Sequence, residues 1–275
     1  MIGAASPKNP FLLRDPRNYT AHPSGAVFYP VDKSIAGKTQ VSASLVPGQD
    51  TAVIIVLGQS NSANHCGGAH ASSSMLVHNF NYANGGMYLT ADPLLGATGE
   101  SGCFATFLGE RLVNNSRYDR VILATMGINA TMASDWSDGG AFNHNIGVMC
   151  RRLAAVGLTP TMILYQQGES DNTEGTTAAV ITTAIRSMVA TFRAEGVDAP
   201  AFIALCSTWP GYTNNAQVRL GQANAVSALL GIYQGPDTDT IGAGGRTGDG
   251  VHFNASGSDQ HAALWETVIV NHFGL

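Results

Sequence analysis

The stretch Ala52-Val-Ile-Ile-Val-Leu57, followed at once by Gly58-Gln59-Ser60-Asn61, decides how the rest of the chain is read. An unbroken apolar run rich in β-branched residues and ending in glycine describes a strand buried on both faces, as in a parallel sheet. A serine just beyond such a strand stands at the carboxyl edge of an α/β sheet, where ligands bind. Ser60 is therefore the leading nucleophile candidate. An acid and a base near the other end of the chain, in Asp249-Gly-Val-His252, strengthen that reading.

Around this strand the pattern repeats. Core strands are expected at 52–57, 120–126, 161–166 and 201–207, with a weaker one near 238–241. Helical faces alternate with them: Phe104, Phe107, Leu108 and Leu112; Val180, Ile181, Ala184, Ile185, Met188, Val189 and Phe192; and Leu264, Trp265, Val268 and Ile269 near the end. Strand and helix in alternation predict an α/β fold with a parallel sheet covered on both sides. This pattern begins at residue 51 and runs to 275. Residues 1–50 lack helical periodicity and carry Pro at 7, 10, 16, 23, 30 and 47. They are expected to form an extended N-terminal arm or a small β element.

Bulk properties narrow the function. Charged residues make up 12% of the 275 residues, about half the usual fraction. The net charge is −5 and there is no basic run, which argues against nucleic acid as a partner. No apolar stretch reaches the roughly 20 residues that span a bilayer. The N-terminus lacks the charged-then-apolar form of a secretory signal; a cytoplasmic or a particle- or cell-surface-associated location both stay open, as does the oligomeric state. Cys66, Cys103, Cys150 and Cys206 form no CxxC pair, so a structural zinc site is not expected. Cys150 falls in an expected helix and Cys206 in an expected strand, both as buried thiols. Cys66 and Cys103 follow two candidate site loops, and a disulfide between them is left open.

The chemistry lies in four blocks. A serine hydroxyl needs a positioned base, and histidine is the usual one. The histidine in turn needs an acceptor on its other ring nitrogen. Asp249 and His252 lie three residues apart in a glycine-rich loop, where one tight turn brings their side chains together. Tyr165-Gln-Gln-Gly-Glu-Ser-Asp171 collects amides and acids at another strand end. Gly96-Ala-Thr-Gly-Glu-Ser-Gly102 opens a helix, whose exposed N–H groups can hold developing negative charge.

In this order, GQSN, the glycine block, QGESD and DGVHF resemble the SGNH-hydrolase superfamily. Within it they are most similar to the sialate O-acetylesterase-like carbohydrate esterases. The resemblance covers about residues 51–275. It implies a three-layer α/β/α sandwich with a flavodoxin-like sheet, and removal of acetyl or other short acyl groups from sugar hydroxyls without a cofactor or metal. By position it makes Ser60 the nucleophile, His252 the general base and Asp249 its partner. The oxyanion hole would comprise the Ser60 N–H, the Gly102 N–H, with Gly99 as alternative, and the Gln167 amide. The superfamily's third block reads GxND; here Ser170 occupies the Asn position, so the third donor lies between Gln167 and Ser170, with Gln167 favoured for its reach. A lipase or thioesterase of the same superfamily is the second reading, and a carbohydrate-binding or particle-associated module the third.

Other polar residues have plainer readings. Glu169 and Asp171 face no second carboxylate cluster and are expected to brace the site loops. His65 and His70 are loop residues with a possible substrate contact. Asn61 braces its own loop, and Arg246 is a candidate partner for a site carboxylate. Asp135-Trp136, Tyr165, Trp209 and Tyr212 lie on strand-end loops, where an aromatic face could stack on a sugar or pack in the core.

Overall fold

The computed structural model describes residues 33–211 and 215–275. Their strands are β1 (Gln40–Val41), β2 (Thr51–Gly58), β3 (Val77–Asn81), β4 (Gly86–Leu89), β5 (Arg120–Thr125), β6 (Met162–Gln166), β7 (Ala201–Leu205) and β8 (Ile232–Asp237). The helices are α1 (Phe104–Asn114), α2 (Ala133–Trp136), α3 (Asn143–Ala155), α4 (Glu169–Thr173), α5 (Ala178–Ala194), α6 (Ala216–Ala225) and α7 (Ala255–Phe273). The strands form one sheet in the order β1-β4-β3-β5-β2-β6-β7-β8. From β3 to β8 all pairings are parallel; β4 and β1 add an antiparallel edge.

The alternation of side chains along β2 builds the layers. Val53, Ile55 and Leu57 point to one face, against α3 and α5 through Ile146, Met149, Leu153, Ile185, Met188 and Phe192. Ala52, Ile54 and Val56 point to the other, against α1 and α7 through Phe104, Leu108, Leu112, Trp265 and Ile269. The result is the expected helix–sheet–helix sandwich, with β2 at its centre and Ser60 at the carboxyl end of that strand. Among the described residues no helix is long and apolar enough to cross a membrane.

Three strands depart from the sequence reading: β8 is displaced, and β3 and β4 were not expected. The last strand is Ile232–Asp237, and 238–240 is a 3-10 turn. Gly235 and Pro236 disguise it. They are tolerated because β8 pairs only with β7, an edge position where proline costs no ladder bond. Strand β3, Val-His-Asn-Phe-Asn, escaped notice because its polar residues are buried. Asn79 spends its carboxamide on backbone, donating to Leu123 O at 3.1 Å and accepting from Leu95 N at 2.6 Å. His78 accepts from Arg120 Nε at 2.9 Å, and burial together with that guanidinium lowers its pKa to about 4. Cys206 falls just past β7 rather than within it. All four cysteines are free, buried thiols. Of the expected N-terminal arm, residues 1–32 lie outside the described residues; within 33–50, β1 pairs with β4.

Gly58 ends β2 with φ +129°, and a Cβ there would sit 2.0 Å from the carbonyl oxygen of Gln166. Gly58→Ala is expected to cost at least about 1–3 kcal/mol in backbone strain alone. At roughly 2–4 °C per kcal/mol, its thermal midpoint by circular dichroism should fall clearly below that of the parent. An unchanged midpoint would contradict the close approach of β2 to β6.

Candidate active site

At the end of β2 the chain cannot continue beside β6. Gln59 N donates to Gln166 O at 3.1 Å, and residues 60–62 curl into a 3-10 turn closed by Ala63 N to Ser60 O at 3.0 Å. Ser60 is only 3% exposed. Its N–H and its Oγ have no hydrogen-bond partner among the described residues. A nearly buried serine with both groups unspent is available for chemistry rather than for capping.

The Asp249–His252 loop folds on itself. Asp249 Oδ1 accepts from Val251 N at 2.8 Å, His252 N at 3.0 Å and Thr247 Oγ1 at 2.7 Å. Asp249 Oδ2 meets His252 Nδ1 at 2.6 Å. Burial pushes the Asp249 carboxyl up, but the bonds from His252, Thr247 and the two backbone N–H groups outweigh it and hold the pKa below the usual carboxylate range. An ionised Asp249 is acceptor only, so Nδ1 carries the ring proton and Nε2 is left as a base.

Asn61 joins the two loops. Its Nδ2 donates to Val251 O and its Oδ1 accepts from Phe253 N, each at 3.3 Å. These are the peptide groups on either side of His252. The same Nδ2 donates to Glu169 Oε1 at 2.7 Å. Ser60 and His252 are thereby brought to one edge of the sheet, with no direct hydrogen bond between their side chains. Such contacts are often loose until substrate arrives.

The oxyanion candidates sort by which donors are already spent. Gly102 N donates to Cys66 O at 2.9 Å and Cys66 N returns to Gly102 O at 3.0 Å. This corrects the preference for Gly102: its proton is used in that bridge. Gly99 N–H has no partner among the described residues. Its φ of +84° places the site of a Cβ 2.2 Å from Asn64 O and 2.7 Å from a ring carbon of His65. Gln167 is equally engaged. Its Nε2 faces Thr131 O at 2.5 Å, Gln59 Oε1 at 2.9 Å and Asp171 Oδ2 at 3.0 Å, three acceptors for two protons. Its Oε1 accepts from Thr131 Oγ1 at 3.0 Å. The Gln167 carboxamide is therefore a brace in this state, against the expectation of a free donor.

The remaining residues fall into place around these. His65 stands beside His252, ring centroids 6.1 Å apart, with Nε2 on Thr98 Oγ1 at 3.1 Å. Burial, then the neighbouring His252 and Lys33, lower its pKa against the opposing pull of Glu100. His70 turns away to Glu110 at 2.6 Å. Arg246 does not pair with a site carboxylate; it donates to Val251 O at 2.5 Å and lies over the Phe253 ring at 4.6 Å. Trp136 and Tyr165 are core residues. Trp209 is 37% exposed, and Pro210 beside it packs 3.4 Å from where a Gly250 Cβ would be, against the histidine loop. Tyr212 lies outside the described residues. Among those described, no group of three His, Cys, Asp or Glu side chains is placed to hold a metal ion. Gln59, the proximity of His65 to His252, and Asn61's grip across 190 residues were the features that residue types and spacing did not reveal.

Comparison with known proteins adds the fold. No protein-family model matches the chain, and no curated protein matches by sequence. Solved structures do. A protein from Arabidopsis thaliana superposes with a TM-score of 0.67 at 14% identity, over 82% of this chain and 99% of its own. A carbohydrate acetylesterase from Xanthomonas citri gives 0.56 at 17%, over 82% of this chain and 57% of its own. A Parabacteroides merdae protein named as a GDSL-like lipase gives 0.53 at 14%, over 82% and 98%. The chain shares their fold. At these identities the likeness speaks for architecture, and the chemistry must be argued from the side chains.

Burial raises the pKa of Glu169, whose Oε2 has no partner among the described residues. The folded state therefore holds this proton more tightly than the unfolded chain, where a glutamate titrates near 4.3. Stability from this group is complete below about pH 4.3 and declines as pH rises through the raised folded value. Glu169→Gln keeps the acceptor for Asn61 and removes the titration. Its denaturation midpoint should fall less steeply with pH above about 4.3 than the parent's; parallel curves would place the charge elsewhere.

Proposed function

We propose that the chain is a serine ester hydrolase that removes acetyl or other short acyl groups from carbohydrate. The observation that carries this reading is the Asp249–His252 pair, bonded at 2.6 Å and gripped through Asn61 beside an unpartnered Ser60. The likeness in fold to the Xanthomonas citri carbohydrate acetylesterase supports it.

The steps follow from the groups present. His252 Nε2 takes the Ser60 proton as Oγ attacks the ester carbonyl carbon. The carbonyl π pair moves to oxygen, where the N–H groups of Ser60 and Gly99 face the new charge. Asp249 stabilises the imidazolium through Nδ1. Collapse expels the sugar alkoxide, which leaves with the proton from Nε2. Water then attacks the acyl-serine by the same route and releases the acid. The exposed Trp209 ring on the rim offers a face for a sugar. A polar rim with His65 and Thr98 favours a saccharide over a long acyl chain, which is the lipase alternative raised by the fold of the Parabacteroides merdae protein.

Ser60→Ala and His252→Ala should each keep the parent's circular dichroism and lose p-nitrophenyl acetate hydrolysis by about 10³-fold or more. A serine-directed phosphonate should add mass at Ser60 alone. In an acyl-chain series acetate esters should turn over fastest, and acetate should be released from one of a panel of acetylated polysaccharides, sialosides and peptidoglycan. Turnover retained in Ser60→Ala would end the proposal; preference for long acyl chains would favour the lipase reading.

A further inference from the structure

The reaction proposed above returns a proton from His252 Nε2 to the oxygen of the departing alcohol, so that alcohol must lie beside the His252 ring. A second imidazole stands there. His65 and His252 have ring centroids 6.1 Å apart and planes inclined by 29°. His65 also lies against Gly99: a Cβ at that glycine would fall 2.7 Å from His65 Cδ2. Its ring thus borders both a proposed oxyanion donor and the proposed base.

The ring is held by one edge. His65 Nε2 meets Thr98 Oγ1 at 3.1 Å, and Asn129 N fixes that hydroxyl by donating to it at 2.8 Å. The Thr98 backbone is pinned as well: its N donates to Gly127 O at 2.9 Å and its O accepts from Asn64 N at 2.8 Å. His65 Nδ1 has no hydrogen-bond partner among the described residues. Nor is it one of their fully enclosed unpaired polar atoms, and the residue is half-buried. A ring anchored at one nitrogen and open at the other has one polar atom to offer a bound molecule.

The state of the ring limits what that molecule can be. Burial, then His252 and Lys33, lower the His65 pKa against the pull of Glu100. At neutral pH the imidazole is therefore uncharged, with one nitrogen a donor and the other an acceptor. Lys33, the cation among these neighbours, is already paired: its Nζ meets Glu100 Oε1 at 2.5 Å and donates to Gly99 O. A carboxylate or phosphate gains little from a neutral ring whose cationic neighbour is taken. A hydroxyl both donates and accepts, so it fits Nδ1 in either tautomer. An ester oxygen at His252 Nε2 brings the substituents of its own carbon and of the adjacent carbon nearest to His65.

We propose that His65 Nδ1 binds a free hydroxyl on the carbon next to the ester, on the departing alcohol, and so selects monoesters of neighbouring diols. This rests on the esterase reading and narrows its substrate class.

Four acetates test it without choosing a sugar in advance. p-Nitrophenyl acetate reports the machinery. Cyclohexyl acetate and the cis and trans forms of 2-hydroxycyclohexyl acetate differ only in the neighbouring hydroxyl. The readout is kcat/KM for the better hydroxy ester divided by that for cyclohexyl acetate, a ratio from which any general loss of turnover cancels. It should be about 10 in the parent, the worth of one hydrogen bond. It should fall to about 1 in His65→Phe, which keeps a ring and removes both nitrogens. His65→Asn sets a polar atom where Nδ1 stands and should keep a ratio of about 3 or more, whereas His65→Gln sets one where Nε2 stands and should fall with His65→Phe. A parent that cleaves p-nitrophenyl acetate but turns over the hydroxy esters no faster than cyclohexyl acetate overturns the proposal and leaves the esterase reading standing. So does a ratio that survives His65→Phe, or one that His65→Asn keeps no better than His65→Gln. A parent inactive on all four acetates overturns both.

Discussion

One carboxamide couples the two halves of the site. Asn61 offers a donor and an acceptor to the peptide groups that flank His252, much as a neighbouring strand would, and a further bond to Glu169 fixes the carboxamide itself. Only asparagine meets all three demands at this length: aspartate has no donor, and glutamine would push the loop outward. The group is fully buried, where a hydrogen bond is electrostatically stronger than in water and an unmet one is costly. The closure of a long chain onto a short strand end thus depends on a residue whose neighbour is the proposed nucleophile. Position along the sequence and position of the base are set by the same side chain.

The sandwich was legible because strands buried on both faces carry unbroken apolar runs, and β2, β5, β6 and β7 each do, with Thr51, Arg120, Thr125 and Gln166 confined to strand ends. Strand β3 was not, because His78 and Asn79 satisfy their polar groups inside the fold and, with the buried Asn81, break the pattern that signals burial. Strand β8 was misplaced because an edge strand admits Gly235 and Pro236, residues that otherwise mark turns. In the candidate site, Ser60, His252 and Asp249 were proposed from residue type, because side-chain chemistry is what a sequence displays. Backbone donors carry no such mark. Gly99 and Gly102 look alike in sequence, and only the pairing of Gly102 with Cys66 separates them. Gln59 and Gln167 likewise have the same chemistry; what distinguishes them is that Gln167 gives its amide protons away and Gln59 accepts one of them.

The electrostatics follow the same division. Asp249 lies toward solvent, where donors from its own loop keep it ionised next to His252. Glu169 and Asp171 lie beneath the nucleophile turn, where burial raises both pKa values. A buried carboxylate fixed in its charge would oppose an oxyanion forming nearby, since Coulomb repulsion is poorly screened inside a protein. A raised pKa lessens the charge such acids hold while they serve as hydrogen-bonding struts. In the proposed reaction the charge on Asp249 is aimed at the imidazole, and the carbonyl oxygen meets neutral amides. Under the proposed reaction, a chain with only 12% charged residues sets the ionised Asp249 beside the proton-transfer partner, and leaves the oxygen to dipoles that need no counter-ion.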